Sequence, residues 1–242
     1  MTSIGIYGSL GRMGRAIAHV APEEGVRIAG GADMGDDPAT LAGACDVLVD
    51  FSAPVALESH LAAARATGTP MVIGTTGLEP RHHAMIDDAA SDIAVLQTGN
   101  TSVGVVLLTR LVREAAARLG MDWDIEIVEM HHRNKVDAPS GTALMLGQAA
   151  AEGLGVALED SSVMGRAGLT GARVEGTIGF SALRGGTVVG DHDVIFAGTG
   201  ERLRLGHIAE DRTIFARGAV RAARWIVGQP VGRYTMDQVL GL

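Results

Sequence analysis

The sequence predicts an α/β fold, in which a domain built on a parallel sheet is interrupted by an α+β domain that contains a mixed sheet. Up to about Thr101, short apolar runs alternate with Ala-rich or Leu-rich helical stretches, a pattern typical of βαβ units. Beyond Thr101, strand-like stretches follow one another without helices between them, and the last stretch is helical again. We therefore expect residues 1–102 and 213–242 to form the first domain and residues 103–212 to form the inserted domain.

The elements of the first domain are predicted from apolar runs that end in small or polar turns. Ser3–Tyr7, for example, ends in Gly8-Ser9, and Met71–Ile73 ends in Gly74-Thr75-Thr76. The other predicted strands are Val26–Ala29, Val47–Phe51 and Ile93–Leu96. The predicted helices are Arg12–Ala21, Pro54–Ala66, Pro80–Ala90 and Ile214–Val227. Right-handed crossovers between the strands would place helices on both faces of the sheet.

The inserted domain is predicted to begin with a long apolar helix, Val103–Leu119, which leads to a strand at Asp124–Met130. A polar loop and a helix at Gly141–Ala151 follow. Consecutive strands without crossover helices indicate antiparallel pairing, and hence a mixed sheet. These later strands are predicted at Val174–Phe180, Thr187–Phe196 and Arg202–Ile208.

Composition excludes several classes of protein. Hydrophobic residues make up 47% and charged residues 20% of the 242 residues, which is typical of a soluble globular protein. The net charge of -8 and the 3% of aromatic residues argue against nucleic-acid and membrane partners. No stretch is apolar enough to span a membrane. The single cysteine, Cys45, permits neither an internal disulfide nor a cysteine zinc site, and we expect a cytoplasmic protein.

A glycine-rich loop follows the first predicted strand and opens the first predicted helix. Its glycines stand at positions 8, 11 and 14, which departs from the G-x-G-x-x-G spacing. Glycines still let a backbone approach a pyrophosphate, and a helix N-terminus supplies N–H groups and positive potential. The alternative is a tight turn that binds nothing. The candidate cofactor-binding residues of this loop are Gly8, Ser9, Leu10, Gly11, Arg12 and Met13.

Asp33 lies 25 residues after Gly8, just past the second predicted strand. A carboxylate there would accept hydrogen bonds from the ribose of a dinucleotide, although Asp33 could also be a loop or capping residue. Met34 and Asp36 add no positive charge, so a 2′-phosphate would meet negative charge. NADH is therefore favoured over NADPH, even though Arg12 could reach such a phosphate.

Two later loops also follow strands of the predicted parallel sheet. Ligands of open α/β sheets bind at the carboxyl ends of the strands, so these loops are placed for the nicotinamide end of the cofactor. The alternative is that they are plain strand-to-helix turns. Their candidate residues are Gly74, Thr75, Thr76, Thr98, Gly99, Asn100 and Thr101.

The stretch Glu129–Ala143 leaves a strand, concentrates His, Arg and Lys side chains, and enters a helix through Pro-Ser-Gly-Thr. Cationic side chains and a helix N-terminus both favour carboxylates, so we expect a small dicarboxylate substrate. The alternative is a solvated basic turn in which Ser140 or Thr142 caps the helix.

His131 and Lys135 are the candidate catalytic residues. Of 20 basic residues only Lys135 is a lysine, and a lysine can release a proton where an arginine stays charged. Histidines titrate near neutral pH and suit acid–base work. His131 and His132 are adjacent on a strand and face opposite sides, so they cannot chelate together and no metal site is expected.

The stretch Glu129–Ala143 closely resembles the signature of the bacterial dihydrodipicolinate reductases. The matching motif is His-His-x-x-Lys-x-Asp-Ala-Pro-Ser-Gly-Thr-Ala, and the resemblance extends over essentially the whole chain. The other matching stretches are Gly8–Gly14, Val49–Ser52, Val72–Gly77, Glu175–Phe180, Arg184–His192 and Arg212–Gly218.

The resemblance implies a Rossmann-like first domain and a reductase that uses NADH or NADPH. The implied reaction converts 4-hydroxy-tetrahydrodipicolinate to tetrahydrodipicolinate on the diaminopimelate route to lysine. His131 matches the acid/base residue of the family and Lys135 its proton donor. Its cofactor contacts match Gly8–Met13, Asp33, Gly74–Thr76 and Thr98–Thr101. Its substrate-carboxylate contacts match His132, Gly141 and Thr142, with which we group Ser140.

The resemblance also implies a homotetramer assembled through the sheet of the inserted domain. The chain departs from the family pattern in two places: Met34 stands where members that accept NADPH well often have Arg, and Thr101 stands where many have an aromatic residue. Two other functions compete with the implied one. One is the reduction of another small cyclic imino or keto acid, and the other is dinucleotide sensing without turnover.

Overall fold

The computed structural model describes residues 1–242, and the chain divides into two compact units. The first unit combines Met1–Val103 with Thr213–Leu242, and the second is Gly104–Arg212. Each unit has its own β-sheet and its own hydrophobic core.

The first unit is built on a six-stranded sheet in which all neighbouring strands are parallel. Its strands are β1 (Ser3–Tyr7), β2 (Arg27–Ala32), β3 (Val47–Asp50), β4 (Met71–Ile73), β5 (Ala94–Gln97) and β11 (Gly232–Tyr234). They lie in the order β11-β5-β4-β3-β1-β2. Strands β2 and β3 therefore lie on opposite sides of β1, and the direction of the strand order reverses there. Such a reversal opens a crevice at the carboxyl ends of the strands, where ligands of α/β sheets bind.

Helices connect these strands and enclose the aliphatic core of the first unit. They are α1 (Arg12–Val20), α2 (Pro38–Ala42), α3 (Leu57–Thr67, after a 3-10 turn at Pro54–Ala56), α4 (Pro80–Ala89), α8 (Thr213–Ile226) and α9 (Met236–Leu240). The sequence pattern does not predict α2, α9 or β11, because the two helices are too short to show a helical period and β11, Gly-Arg-Tyr, is not an apolar run. Local chemistry sets α2: the Asp37 carboxylate accepts a hydrogen bond from the Ala39 N–H at 3.1 Å, and Pro38 begins the helix.

The second unit has a five-stranded mixed sheet in the order β10-β9-β6-β8-β7. Its strands are β6 (Asp124–His131), β7 (Ser162–Val163), β8 (Ile178–Arg184), β9 (Gly190–Gly198) and β10 (Glu201–Ala209). Its helices are α5 (Val103–Leu119), α6 (Gly141–Leu154) and α7 (Leu158–Ser161). The central strand β6 is parallel to β8 and antiparallel to β9. A parallel sheet in one unit and a mixed sheet in the other confirm the predicted fold class.

Four strand boundaries predicted from the sequence are wrong by three or more residues. Two are ends: β2 ends at Ala32 and not at Ala29, and β8 ends at Arg184 and not at Phe180. The other two are starts. The strand expected from Val174 begins at Ile178, because Gly176 has a φ of +73°, a left-handed conformation that a strand does not adopt. The strand expected from Thr187 begins at Gly190, after a turn in which Gly186 has a φ of +52°.

Candidate active site

Strand β6 brings chemically active side chains into the buried face of the second unit. Its residues alternate between partly exposed and buried, so Ile125, Ile127, Glu129 and His131 share one face. The first two join the hydrophobic core, whereas Glu129 and His131 continue the same row as buried polar groups.

The register of the sheet places one charged or titratable residue on each side of this row. His192 on β9 is paired with Glu129, and Arg184 on β8 is paired with His131. Paired residues on neighbouring strands project to the same face, so all four side chains lie together.

The Glu129 carboxylate is the centre of this cluster. It lies 2.6 Å from Nδ1 of His131 and accepts two hydrogen bonds of 2.8 Å from the Arg184 guanidinium. The main-chain N–H of Ser140 donates a further hydrogen bond at 3.2 Å. Burial alone would raise the pKa of Glu129, but the hydrogen bonds from Arg184 and His131 outweigh burial and lower that pKa below its usual value. Glu129 is therefore an ionised carboxylate at neutral pH.

His192 completes the cluster as a neutral side chain. Its Nε2 lies 3.0 Å from Oγ of Ser140, and its ring meets the ring of His131 edge-on, with 5.1 Å between the centroids. Burial, followed by the nearby His131, lowers the pKa of His192 to about 4. Ser140 Oγ also accepts a hydrogen bond from the Ala143 N–H at 3.2 Å and so caps helix α6. Ser140 is thus both a helix cap and part of the cluster.

The loop between β6 and α6 carries the remaining cationic candidates. Nζ of Lys135 donates to both carboxylate oxygens of Asp137, at 2.9 and 2.8 Å. An N–H of the exposed Arg212 lies 3.0 Å from Nε2 of His132, which must accept because a guanidinium can only donate. Glu129 therefore contacts both His131 and Ser140. Lys135 contacts Asp137, and His132 contacts Arg212.

Helix α6 begins at Gly141, at the end of this loop. Gly141 is exposed, and an added Cβ would have no atom within 4 Å, so space is open beside the first turn of the helix. The adjoining Thr142 is partly buried. A helix N-terminus with open space in front of it is suited to a carboxylate.

In the first unit, the glycine-rich loop between β1 and α1 fits a dinucleotide. Gly8 has a φ of +78°, and an added Cβ would lie 2.8 Å from the carbonyl oxygen of Phe51. A Cβ on Gly14 would collide with the carbonyl oxygen of Gly8. Helix α1 begins after Gly11 with no side-chain cap and no acidic residue in its first turn. The loop therefore presents a close-packed backbone and an uncapped helix N-terminus, as pyrophosphate binding requires.

Asp33 is held against this loop at the end of β2. Its carboxylate accepts hydrogen bonds from Oγ of Ser9 at 2.5 Å and from the Leu10 N–H at 3.1 Å. Asp36 in turn accepts from the Asp33 N–H at 2.9 Å, and Met34 is fully exposed. A carboxylate has about four acceptor sites, so Asp33 retains capacity for ribose hydroxyls.

A buried carboxylate that sequence reasoning missed, Asp50 at the end of β3, supports the neighbouring loops. It accepts hydrogen bonds from Oγ of Ser52 at 2.6 Å and from Oγ1 of Thr75 at 2.9 Å, and it lies 2.8 Å from Nδ1 of His60. The His60 ring stacks on Tyr7 with 3.9 Å between the centroids. Through Asp50, His60 thus helps to fix Thr75 in the loop after β4.

The side chains of Thr75 and Thr101 are committed to the interior of the first unit. Thr75 donates to Asp50, and Oγ1 of Thr101 donates to the Phe215 carbonyl at 2.7 Å. Both residues are at least 96% buried, whereas Thr76 and Gly99 are exposed. Any ligand contact of Thr75 or Thr101 would therefore involve the main chain.

The loop after β5 is a self-bonded turn. Oγ1 of Thr98 donates to the Asn100 carbonyl at 2.7 Å and accepts from the Asn100 N–H at 3.1 Å. The Asn100 side-chain oxygen accepts from the Ser102 N–H at 2.8 Å. These bonds fix the course of the main chain at the carboxyl end of the sheet.

Four further residues of the second unit contact the candidate residues or one another, although the sequence pattern does not select them: Glu129, Arg184, His192 and Arg212. Glu129 and His192 stand within or beside the signature stretches, but only sheet register brings them together. Arg184 and Arg212 begin two of the stretches that carry the family resemblance, which is the one signal that could have found them.

No group of three or more His, Cys, Asp or Glu side chains is arranged to hold a metal ion. None of the helices has the length and apolar character required to cross a membrane.

Comparison with known proteins identifies related chains over the full length. A family model described as dihydrodipicolinate reductase, N-terminus, matches residues 2–101, and one described as dihydrodipicolinate reductase, C-terminus, matches residues 104–240. A 4-hydroxy-tetrahydrodipicolinate reductase from Zymomonas mobilis is 53% identical, with 99% of this chain and 97% of the relative covered. One from Parvibaculum lavamentivorans is 51% identical, with 98% and 97% covered.

Solved structures share the same fold. A dipicolinate-bound dihydrodipicolinate reductase from Paenisporosarcina sp. TG-14 matches with a TM-score of 0.78 at 23% identity, covering 97% of both chains. A probable dehydrogenase from Thermotoga maritima matches with a TM-score of 0.60 at 13% identity, covering 90% of this chain and 85% of the other. The two family models and the near full-length relatives together show that this chain belongs to the dihydrodipicolinate reductase family of pyridine-nucleotide-dependent oxidoreductases.

Proposed function

We propose that this protein reduces 4-hydroxy-tetrahydrodipicolinate to tetrahydrodipicolinate at the expense of a reduced nicotinamide dinucleotide. The observation that carries the proposal is the buried Glu129–His131 pair, which lies beside a cationic loop and the N-terminus of α6. In a chain of this family, that arrangement supplies a proton-exchanging group next to groups that attract carboxylates. The reaction belongs to the diaminopimelate route to lysine. Its direct test is consumption of the reduced nucleotide with this substrate.

The first unit would bind the cofactor, which when bound supplies a hydride. The close-packed loop from Gly8 to Met13 and the N-terminus of α1 would hold the pyrophosphate, and Asp33 would accept hydrogen bonds from the ribose. The loops at Gly74–Thr76 and Thr98–Thr101 would border the nicotinamide, with Thr75 and Thr101 acting through their main chains.

Gly14→Ala tests this cofactor site, because alanine normally stabilises a helix and here its Cβ would collide with the Gly8 carbonyl. We expect the dissociation constant of NADH to rise at least about tenfold, since overpacking displaces a backbone that must touch the pyrophosphate. Fluorescence titration with NADH measures the effect. Gly43→Ala is the matched control, because its Cβ would meet its nearest neighbour at 3.8 Å. Equal binding by the two variants would contradict the assignment.

The second unit would bind and protonate the substrate. His131 would exchange the proton that accompanies hydride addition, and Lys135 would polarise or protonate the ring of the substrate. The N-terminus of α6 at Ser140–Thr142 would receive a substrate carboxylate, together with His132 and Lys135. Arg212, whose guanidinium lies against His132, adds a second positive charge to that group.

NADH is the preferred cofactor in this proposal, because Asp33 and Asp36 stand together and Met34 offers no charge to a 2′-phosphate. Met34→Arg is expected to raise the ratio of kcat/KM for NADPH to that for NADH by roughly tenfold, the effect of about one charge-assisted hydrogen bond. Steady-state rates with both nucleotides measure it. Met34→Gln is the uncharged control of similar length. An equal rise of the ratio in that variant would contradict the explanation by charge.

Assembly and location are further parts of the proposal. Strand β10 is an edge strand of the second sheet and exposes Leu203 and Ile208, so association through this sheet into a homotetramer would cover an otherwise open edge. Light scattering on the purified protein would give the mass of the assembly. The single, half-buried Cys45 agrees with function in the reducing cytoplasm.

A further inference from the structure

The two ring nitrogens of His131 lie in different surroundings. Nδ1 is 2.6 Å from Oε2 of Glu129, which is an ionised carboxylate and can only accept hydrogen bonds. Nδ1 must therefore carry a proton at every stage of the reaction. In the neutral ring, the lone pair is left on Nε2.

Glu129 cannot turn away from His131, because other elements hold its carboxylate. Arg184 donates to both of its oxygens at 2.8 Å from strand β8, and the Ser140 N–H donates at 3.2 Å from the start of α6. The same guanidinium also donates to the Asp137 carbonyl at 2.7 Å, which ties the loop that carries Lys135 to this carboxylate. Glu129 is thus fixed with one oxygen directed at Nδ1.

The opposite side of the ring faces a glycine. A Cβ on Gly190, in strand β9, would stand 2.9 Å from Nε2 of His131 and 3.5 Å from Cε1 of His192. Gly190 pairs with Ala209 in the β9–β10 ladder and does not have a left-handed conformation, so the backbone does not require glycine here. What glycine provides is space beside Nε2.

The other titratable groups around His131 leave this assignment intact. His192 presents its ring edge from β9 and is neutral, because burial lowers its pKa to about 4. Lys135 is paired with Asp137 in the loop, and Arg184 is engaged with Glu129. The only carboxylate in contact with the His131 ring is that of Glu129.

We propose that Glu129 and Gly190 are positioning residues that make Nε2 of His131 the atom that exchanges the proton with substrate. Glu129 occupies Nδ1, and Gly190 leaves room for the reacting group at Nε2. Over one turnover, the substrate takes up a hydride from the nucleotide and one proton from Nε2–H of His131, and it releases its 4-hydroxyl group as water. The His131 ring is left in the neutral Nδ1–H form, and a proton from the solvent restores its charge. The inference rests on the proposed function for the identity of the proton acceptor. Which nitrogen of the His131 ring carries the proton can, however, be measured without turnover.

The first test is nitrogen NMR of the protein labelled with ¹⁵N-histidine, with the His131 signals assigned by their loss in His131→Asn. In the neutral His131 ring, we expect Nδ1 to be protonated and Nε2 to carry no proton. In Glu129→Gln, the position of Oε1 faces two groups that can only donate, an Arg184 N–H and the Ser140 N–H, whereas the position of Oε2 faces one such group, the other Arg184 N–H, together with His131. The amide NH₂ is therefore expected on the His131 side, and the ring proton is expected to move to Nε2. Wild-type protein with the proton on Nε2 would overturn the proposal.

The second test adds a methyl group beside Nε2 of His131, at Gly190, and compares it with a methyl group added at Gly185. Gly190→Ala is expected to lower kcat at least tenfold, with the ¹⁵N pattern of His131 and the dissociation constant of NADH unchanged. Gly185→Ala is the matched control, because its Cβ would meet only the flexible end of Met130, at 3.1 Å. Equal kcat values for the two alanine variants would overturn the role of Gly190.

The two tests separate the possible failures. Should Glu129→Gln not fold, as thermal melting would reveal, the wild-type ¹⁵N spectrum and the Gly190→Ala kinetics still decide the question. If the wild-type protein shows the expected tautomer but does not turn over this substrate, the proposed function fails while the assignment of Nε2 stands.

Discussion

Replacing His131 by alanine is expected to lower kcat by about 10²–10⁴-fold, the usual contribution of a positioned general acid or base. The physical reason is that the ring is buried, held by Glu129 at 2.6 Å, and is the group of the cluster best suited to exchange a proton near neutral pH. Binding of NADH should not change, because His131 belongs to the second unit and the glycine-rich loop to the first.

Steady-state kinetics and a fluorescence titration with NADH measure the two quantities separately. His132→Ala is the informative comparison, since His132 is the next residue of the chain but lies outside strand β6 and contacts Arg212 instead of Glu129. We expect that variant to raise KM for the substrate more than it lowers kcat, because it loses a carboxylate contact. If the two alanine variants show the same kinetic pattern, the division of roles between these histidines is wrong.

Replacing Lys135 is the second change with a large expected effect, and the choice of replacement separates two roles. Lys135→Ala removes both charge and proton, whereas Lys135→Arg keeps the charge but cannot release a proton near neutral pH. If Lys135 protonates the ring of the substrate, both variants should lose about 10²–10⁴-fold in kcat. If it only attracts a carboxylate, arginine should restore most of the activity.

The ion pair with Asp137 bears on this experiment. The two contacts of 2.9 and 2.8 Å hold Nζ in one direction, and this hydrogen bonding from Lys135 lowers the pKa of Asp137 below its usual value. Asp137→Asn keeps the shape of the side chain but removes its negative charge. We expect it to change kcat less than Lys135→Ala does, because it alters only the orientation of the lysine. A loss in Asp137→Asn as great as in Lys135→Ala would instead assign the aspartate a direct part in the chemistry.

The sequence predicts the fold well where local patterns are strong. Strand Ser3–Tyr7 and helix Val103–Leu119 have the predicted bounds, because an uninterrupted apolar run and a long helical stretch leave little choice. Helix α2 and strand β11 go unpredicted because capping and pairing with a neighbouring strand, rather than periodicity, determine them. Glycines with positive φ displaced the starts of two predicted strands.

The candidate site was predictable only in part. The signature loop identifies His131, Lys135 and the start of α6, because these residues lie within one short stretch. The contacts of Glu129 with Arg184 and of Ser140 with His192 join residues more than 50 positions apart. They depend on which strands are neighbours and in what register, which no local pattern specifies. The role of Asp50 was hidden for the same reason, since its partners come from the loops after β3 and β4 and from helix α3.

The central claim is that this chain reduces 4-hydroxy-tetrahydrodipicolinate with a reduced nicotinamide dinucleotide, and the most direct test is the loss of nicotinamide absorbance with the purified protein. The substrate would be generated in the cuvette from pyruvate and aspartate semialdehyde by the preceding synthase, with NADH and NADPH supplied in separate runs. The account predicts rapid loss that depends on the synthase and is faster with NADH. No loss with either nucleotide, in a preparation that demonstrably binds NADH, would contradict it.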